Sequence, residues 1–266
     1  MSGWDGRGLP PIAKARVDRF ASSGLRTSLL SVPGAVGAEV AGFTSVGEVM
    51  GCVVARIGWD SGLGATTSRQ MSIYARAVRT GYTTALARLG LEAEALGADG
   101  VLGISCTVTP LDGLLREFVA LGTAVKADTA QRPGRLFTTG LPGQDVAKLM
   151  RAGWVPAAFT IGVGARAVYD YSMRTQTTML AGNVEVDAAT WVVSESRADA
   201  RQEFHRAVRD SGADGGIVSD MTLDTWSFQD FGVAAMAGVY GTAIARFHDG
   251  PSAPTSALTI LPLDRI

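Results

Sequence analysis

Soft metal ligands are scarce in this chain: its 266 residues include two cysteines, Cys52 and Cys106, and two histidines, His205 and His248. One possible cysteine pair makes no disulfide framework in a chain of this length. No two of these four residues stand at a ligand spacing such as Cys-x-x-Cys or His-x-x-x-His. Lysine is limited to Lys14, Lys126 and Lys148, and the formal net charge is -1. Phosphate recognition needs a clustered surplus of basic residues, so the composition argues against a nucleic-acid partner. The longest apolar run, 233–245, is interrupted by Gly238 and Gly241 and is too short to span a bilayer. The opening Met1-Ser2-Gly3-Trp4-Asp5-Gly6-Arg7 lacks the basic-then-apolar order of a secretory signal. These absences lead to the expectation of a cytoplasmic protein with no membrane span. A charged fraction of 18% beside 47% hydrophobic residues excludes a wholly disordered chain.

Glycine is what the sequence has in excess, 33 of 266 residues, against roughly 7% in ordinary chains. Its placement exposes an internal repeat. Leu96-Gly97-Ala98-Asp99-Gly100-Val101-Leu102 recurs as Ser211-Gly212-Ala213-Asp214-Gly215-Gly216-Ile217, an offset of 212 − 97 = 115. Gly122-Thr123-Ala124-Val125 recurs as Gly241-Thr242-Ala243-Ile244 at 119, and Gly42-Phe43 as Gly153-Trp154 at 111. Ser31-Val32-Pro33-Gly34 is matched to Gly140-Leu141-Pro142-Gly143 at 109. The reading is a tandem duplication with a head (1–27), a first unit (28–127), a linker (128–136), a second unit (137–247) and a tail (248–266).

Each unit has the same grammar. A short helix stops at Gly42 or Gly153, as helices do at glycine. A strand rich in β-branched residues follows, 46–57 or 155–171, and in the first unit a loop over 61–70. The next helix carries Tyr82, Leu86, Leu89, Ala93 and Leu96 at steps of four and three, one apolar stripe. Its counterpart carries Ala200, Phe204, Ala207 and Val208. A strand then places Leu102, Ile104, Cys106 and Val108 on one face, matched by Ile217, Met221 and Leu223. The last strand is 116–126 or 231–246. A short helix over 12–22 precedes the repeats, and 256–263 could add an edge strand. The fold class is therefore α+β, with a small, largely antiparallel sheet and one long helix per unit. A unit this small struggles to cover its own sheet, so association of units or chains is expected.

Val46-Gly47-Glu48-Val49-Met50-Gly51, the run from Leu91 to Ile104 and Gly122-Thr123-Ala124-Val125 resemble the YbjQ-like family, which carries a heavy-metal-binding label. The resemblance covers 28–127 well and 137–247 more faintly. It implies a β-α-β-β unit like a dodecin subunit, assembled in single-domain relatives as a pentameric ring. Two fused copies would be neighbours in one ring or members of stacked rings.

The repeat tests the candidate chemistry. Cys52 falls on Val163 and Cys106 on Met221, so both stand where the other unit keeps an apolar side chain, as free cysteine commonly does. His205 falls on Gly90, and neither histidine accompanies a nucleophile elbow. Asp99 and Asp214 are the acidic pair the repeat preserves. They are candidates for an oxygen-ligated cation, against the structural reading of a turn between glycines. Metal candidates are thus Asp99, Asp214 and Cys106, and no organic cofactor is expected. Gly162-x-Gly164-x-x-Ala167 imitates a dinucleotide fingerprint but reads as strand. Arg197, Arg201, Arg206 and Arg209 alternate with Glu195, Asp199, Glu203 and Asp210, the pattern of a salt-bridged surface. Trp226, Phe228 and Phe231 lie on a polar hairpin and read either as satellite core or, preferred, as a subunit contact. The expectation is a non-enzymatic, cyclic homo-oligomer acting as scaffold or small-ligand binder. The alternative is a metal-binding protein with sites completed between subunits; an enzyme ranks third.

Overall fold

The computed structural model describes residues 4, 8–24, 26–58, 68–129, 132–170, 172–176, 182–228, 232–247 and 261–262. The head forms α1 (Pro11–Ser23), with proline in its first turn, where the missing N–H is no loss. The first unit runs α2 (Val32–Val40), β1 (Phe43–Arg56), α3 (Ser68–Ala95), β2 (Gly100–Pro110) and β3 (Leu115–Ala127). A short β4 (Phe137–Thr138) leads into α4 (Gly143–Arg151), β5 (Trp154–Tyr169), α5 (Met173–Gln176), α6 (Asp187–Asp210), β6 (Gly215–Phe228) and β7 (Gly232–Arg246). A last β8 (Leu261–Pro262) stands in the tail. The chain is α+β, as the sequence predicts.

The first sheet has the order β1-β3-β2-β4 and the second β5-β7-β6-β8. The three long strands of each are antiparallel, with Cys52 opposite Val119 and Val119 opposite Thr107 in the first. Val163, Gly238 and Thr222 line up in the same way in the second. Four bulges interrupt the alternation, at 45–47 in β1 and 102–105 in β2, and at 156–158 in β5 and 218–220 in β6. The bulge in β2 overturns the expectation that Leu102 shares a face with Ile104. Leu102 packs with Phe43, Val125, Phe137 and Leu141, whereas Ile104 turns towards α3. One extra residue reverses the alternation, which a period-2 reading cannot detect.

Packing reproduces the repeat. A β-carbon on Gly51 would overlap the carbonyl of Ala85 and the amide of Leu89; one on Gly162 would overlap Ala200 and Phe204, the same positions 115 residues later. Glycine is needed there because the long helix lies directly on the first strand of each sheet. Gly162 and Gly164 sit under α6 within β5, so the apparent nucleotide fingerprint is a helix-on-sheet contact. The match of Pro33-Gly34 with Pro142-Gly143 does not survive. Ser31 and Pro142 precede α2 and α4, and Ala41 and Ala152 follow them, both 111 residues apart. Pro33-Gly34 therefore lies two positions deeper in its helix than its sequence look-alike. The expected loop over 61–70 also ends early, since Ser68 already begins α3; 61–67 lie outside the described residues. Of the expected edge strand 256–263, the pairing of Leu261–Pro262 with Gly215 and Gly216 is described.

The two units are joined head to tail. On β5, Phe159, Ile161, Val163, Ala165 and Ala167 face away from α6 and are buried against α3 of the first unit. The layers run first sheet, α3, second sheet, α6. The stripe of α3 (Met71, Ala75, Val78, Tyr82, Ala85, Leu89, Ala93) thus serves both sheets in one core. Burial of each larger apolar side chain contributes roughly 1.5–3 kcal/mol. Residues 137–141 complete the joint along β2, with Thr139 N–H donating to Val101 and accepting, through its carbonyl, from Ile104 N–H.

Candidate functional site

The joint between the units brings together aromatic, polar and ionic side chains from both halves of the chain. Tyr82 of α3 meets Tyr240 of β7 edge to face, with ring centroids 5.8 Å apart, and the Tyr240 hydroxyl donates to the Tyr82 hydroxyl at 3.1 Å. Phe118 packs on the other side of Tyr82, 5.1 Å away. Burial raises the pKa of both tyrosines, so both hydroxyls stay protonated. Around this pair opens a cavity of about 460 Å³ lined by Cys106, Ser105, Thr107, Asp220 and Asp224 among others. A neighbouring cavity of about 580 Å³ shares Val78, Val108, Asp224 and Met236 and adds Tyr74, Arg116, Trp226 and Phe228.

Trp226 lies on Tyr74, ring centroids 6.1 Å apart. Two of the three hairpin aromatics therefore close the space between the units of one chain instead of presenting a subunit contact. Phe231 lies outside the described residues. Arg79 of α3 pairs with Glu203 of α6 across the same joint. Sequence reading placed Tyr82 on an apolar stripe but missed its partner, because Tyr240 lies 158 residues away and looks like an ordinary strand residue.

The metal candidates are held apart in other roles. Asp99, in the turn before β2, accepts from Ala127 N–H at 2.8 Å and pairs with Arg132 at 2.8 Å. Burial alone would raise its pKa, but the Arg132 guanidinium and the Ala127 N–H outweigh that and hold the carboxyl below the usual range. Asp214 accepts from Arg246 N–H at 2.8 Å, the equivalent bond 119 residues on from Ala127. The repeat thus preserves a staple from the turn to the end of the last strand. Cys106 sits in the joint, where burial pushes its thiol up to about 12. A thiol in that state is protonated and a poor nucleophile at neutral pH. Cys52 is raised by burial and by its hydrogen bond to Glu117. His205 is half-buried on α6 beside Phe204, and His248 lies outside the described residues. Among the described residues no three of Cys, His, Asp and Glu cluster as a metal site. The described donors of one chain therefore do not converge on a heavy-metal centre.

Two further arrangements bear on how the molecule holds together. Glu92, fully buried on α3, takes both Nε and Nη2 of Arg16 at 2.5 and 2.6 Å and the Met50 N–H at 3.0 Å. Arg88 donates to the Cys52 carbonyl at 2.5 Å. Helix side chains thus cover the free edge of β1, which would otherwise offer unpaired backbone groups. On α6 the expected salt-bridged face forms in part: Arg206 pairs with Glu203, while Asp199 is taken by Arg166 of β5.

A duplicated helix-on-sheet unit, joined head to tail through a buried aromatic contact, defines an α+β protein built for packing one unit on the next. The chain is similar over residues 27–128 to the YbjQ-like family, described as "putative heavy-metal-binding". It is also 27% identical over 263 residues to the "Encapsulin nanocompartment protein Rv1762c" of Mycobacterium tuberculosis, covering 96% of this chain and 98% of that protein. No helix among the described residues is long and apolar enough to cross a membrane.

Proposed function

We propose that this chain is a non-enzymatic, cytoplasmic, self-assembling scaffold whose chains associate into a closed ring or shell. The observation that carries the reading is the head-to-tail joint. The first unit uses the side of its long helix; the second uses the outer face of its sheet. Each chain keeps one unused surface of each kind, and heterologous contacts of this sort propagate until they close. The name of the mycobacterial relative, an encapsulin nanocompartment protein, supports assembly. The cavities at the joint, lined by both polar and apolar side chains, support small-ligand binding as the other form of this non-enzymatic role.

The test is the solution mass by light scattering or native mass spectrometry at micromolar concentration. A discrete multiple of the 27.7 kDa chain is expected; a mass of one chain would overturn the proposal. Metal analysis of the same particle, purified without chelator, separates out the alternative. Stoichiometric metal would move the function to an ion site completed between chains.

A further inference from the structure

The repeat allows the joint inside the chain to be carried forward onto a second copy. In the first unit, Val78, Tyr82, Leu86 and the β2 residues Cys106 and Val108 receive the second sheet. At the helix and strand offset of 115, their places in the second unit belong to Val193, Arg197, Arg201, Met221 and Leu223. Arg197, Arg201, Met221 and Leu223 line an open groove of about 240 Å³ beside α6. Met221 is 58% exposed there. Neither arginine has an ion-pair partner among the described residues.

The matching surface is the outer face of the first sheet. Ile161, Val163, Met236 and Tyr240, which fill the joint inside the chain, correspond to Met50, Cys52, Glu117 and Leu121 at offsets of 111 and 119. Glu48 stands where Phe159 does, and Arg56 marks the far end of the face. Met50, Cys52, Glu117, Val119 and Leu121 are only half-buried, and Val54 is 51% exposed. Among the described residues no helix lies across this face as α3 lies across its counterpart.

We infer that the outer face of the first sheet of one chain docks in the α6–β6 groove of a second copy, with Glu48 and Glu117 of that face flanking Arg197 and Arg201, Glu117 lying towards Val193, one helical turn from Arg197. This rests on the reading of the chain as a self-assembling protein and names the surfaces that do it. The outer joint is chemically unlike the inner one. Where the inner joint has Tyr82 on Tyr240 and Val78 beside Met236, the outer joint has Arg197 towards Leu121 and Val193 towards Glu117. It also loses the tight crossing of α2 and α4, where β-carbons on Gly37 and Gly143 would overlap the opposing backbone. Lys148 and Val32 stand at those places in the outer joint. The outer joint is therefore partly ionic and screened by salt, while the inner one is apolar and permanent.

The experiment follows the particle mass of the full chain at 0.1 M and about 1 M NaCl, where the screening length falls from ~10 to ~3 Å. The double variant Arg197→Glu/Arg201→Glu and the double variant Glu48→Arg/Glu117→Arg are measured alongside. Wild type is expected to be multimeric in low salt and to release single chains in high salt. Each double variant should fall to the single-chain mass in low salt while still melting in one cooperative transition. An equimolar mixture of the two should reassemble, because both reversed surfaces then meet opposite charge. Assembly of the double variants as in wild type would overturn this docking mode and leave the scaffold reading standing. Wild type running as a single chain under all conditions would overturn both. Disassembly of the variants without recovery on mixing would overturn the charge pairing.

Discussion

Removing Arg16 leaves a buried negative charge behind. Glu92 has no solvent exposure and Arg16 retains 21%, so the two partners are not equivalent. Arg16→Ala strands the carboxylate against α1 and β1 with only the Met50 N–H for compensation. Breaking one side of a buried pair costs about 3–5 kcal/mol. The surviving hydrogen bond places the expectation near the lower end, about 3 kcal/mol. At roughly 2–4 °C per kcal/mol for a chain of this size, the melting temperature should fall by about 6–12 °C. Glu92→Gln keeps one acceptor oxygen and the shape, and it frees a guanidinium that already reaches water. Its cost is that of a charge-assisted hydrogen bond, about 1.5 kcal/mol, or roughly 3–6 °C. Calorimetry of wild type and both variants at neutral pH decides the matter. The reasoning fails if Arg16→Ala melts within about 2 °C of wild type, or if Glu92→Gln is the more damaging change.

Gly162→Ala should destabilise by about 1–3 kcal/mol, because its β-carbon overlaps the Ala200 carbonyl; Gly90→Ala, with its nearest neighbour Leu136 at 3.6 Å, should instead stabilise by about 0.5–1 kcal/mol. Urea titration of the pair gives both signs. Asp99 has a lowered folded pKa, so its stabilisation is complete above the unfolded value of about 3.9 and disappears as pH falls through the lower folded value. The melting gap between wild type and Asp99→Asn, about 1–2 kcal/mol at pH 7, should hold down to about pH 4.5 and close below it; a gap that widens in acid would contradict the staple. Because burial pushes the Cys106 thiol up to about 12, iodoacetamide at pH 8 should label it far more slowly in the folded chain than in urea. Equal rates, read by peptide mass spectrometry, would contradict its placement in the joint.

Local pattern carried much of this fold. The recurrence of Gly-Ala-Asp-Gly at 115 residues revealed the duplication, and the spacing of Tyr82, Leu89 and Ala93 revealed the α3 stripe. The duplicated aspartates were legible as turn residues because their glycine neighbours require a turn. Three features were not legible. The bulge at 102–105 flips the side-chain alternation without a pattern of its own. The two-residue slip between Pro33-Gly34 and Pro142-Gly143 is visible only when the helix ends are compared. Glu92 gave one faint signal, an acid three residues from Leu89 and beside Ala93 on the apolar stripe, but its partner Arg16 sits 76 residues away in the head.

The sequence by itself determined the duplication, the α+β class and the near absence of soft ligands, since each is a matter of composition or short-range period. Tertiary structure alone decided that α3 serves two sheets, that Tyr82 meets Tyr240, and that Trp226 closes an internal space. Those facts depend on how one unit lies on the next. Contacts between units join residues far apart in the chain, and no local periodicity encodes them. The tertiary structure also separated two surfaces that look alike in sequence, the covered face of the second sheet and the open face of the first. The difference lies in which helix reaches them.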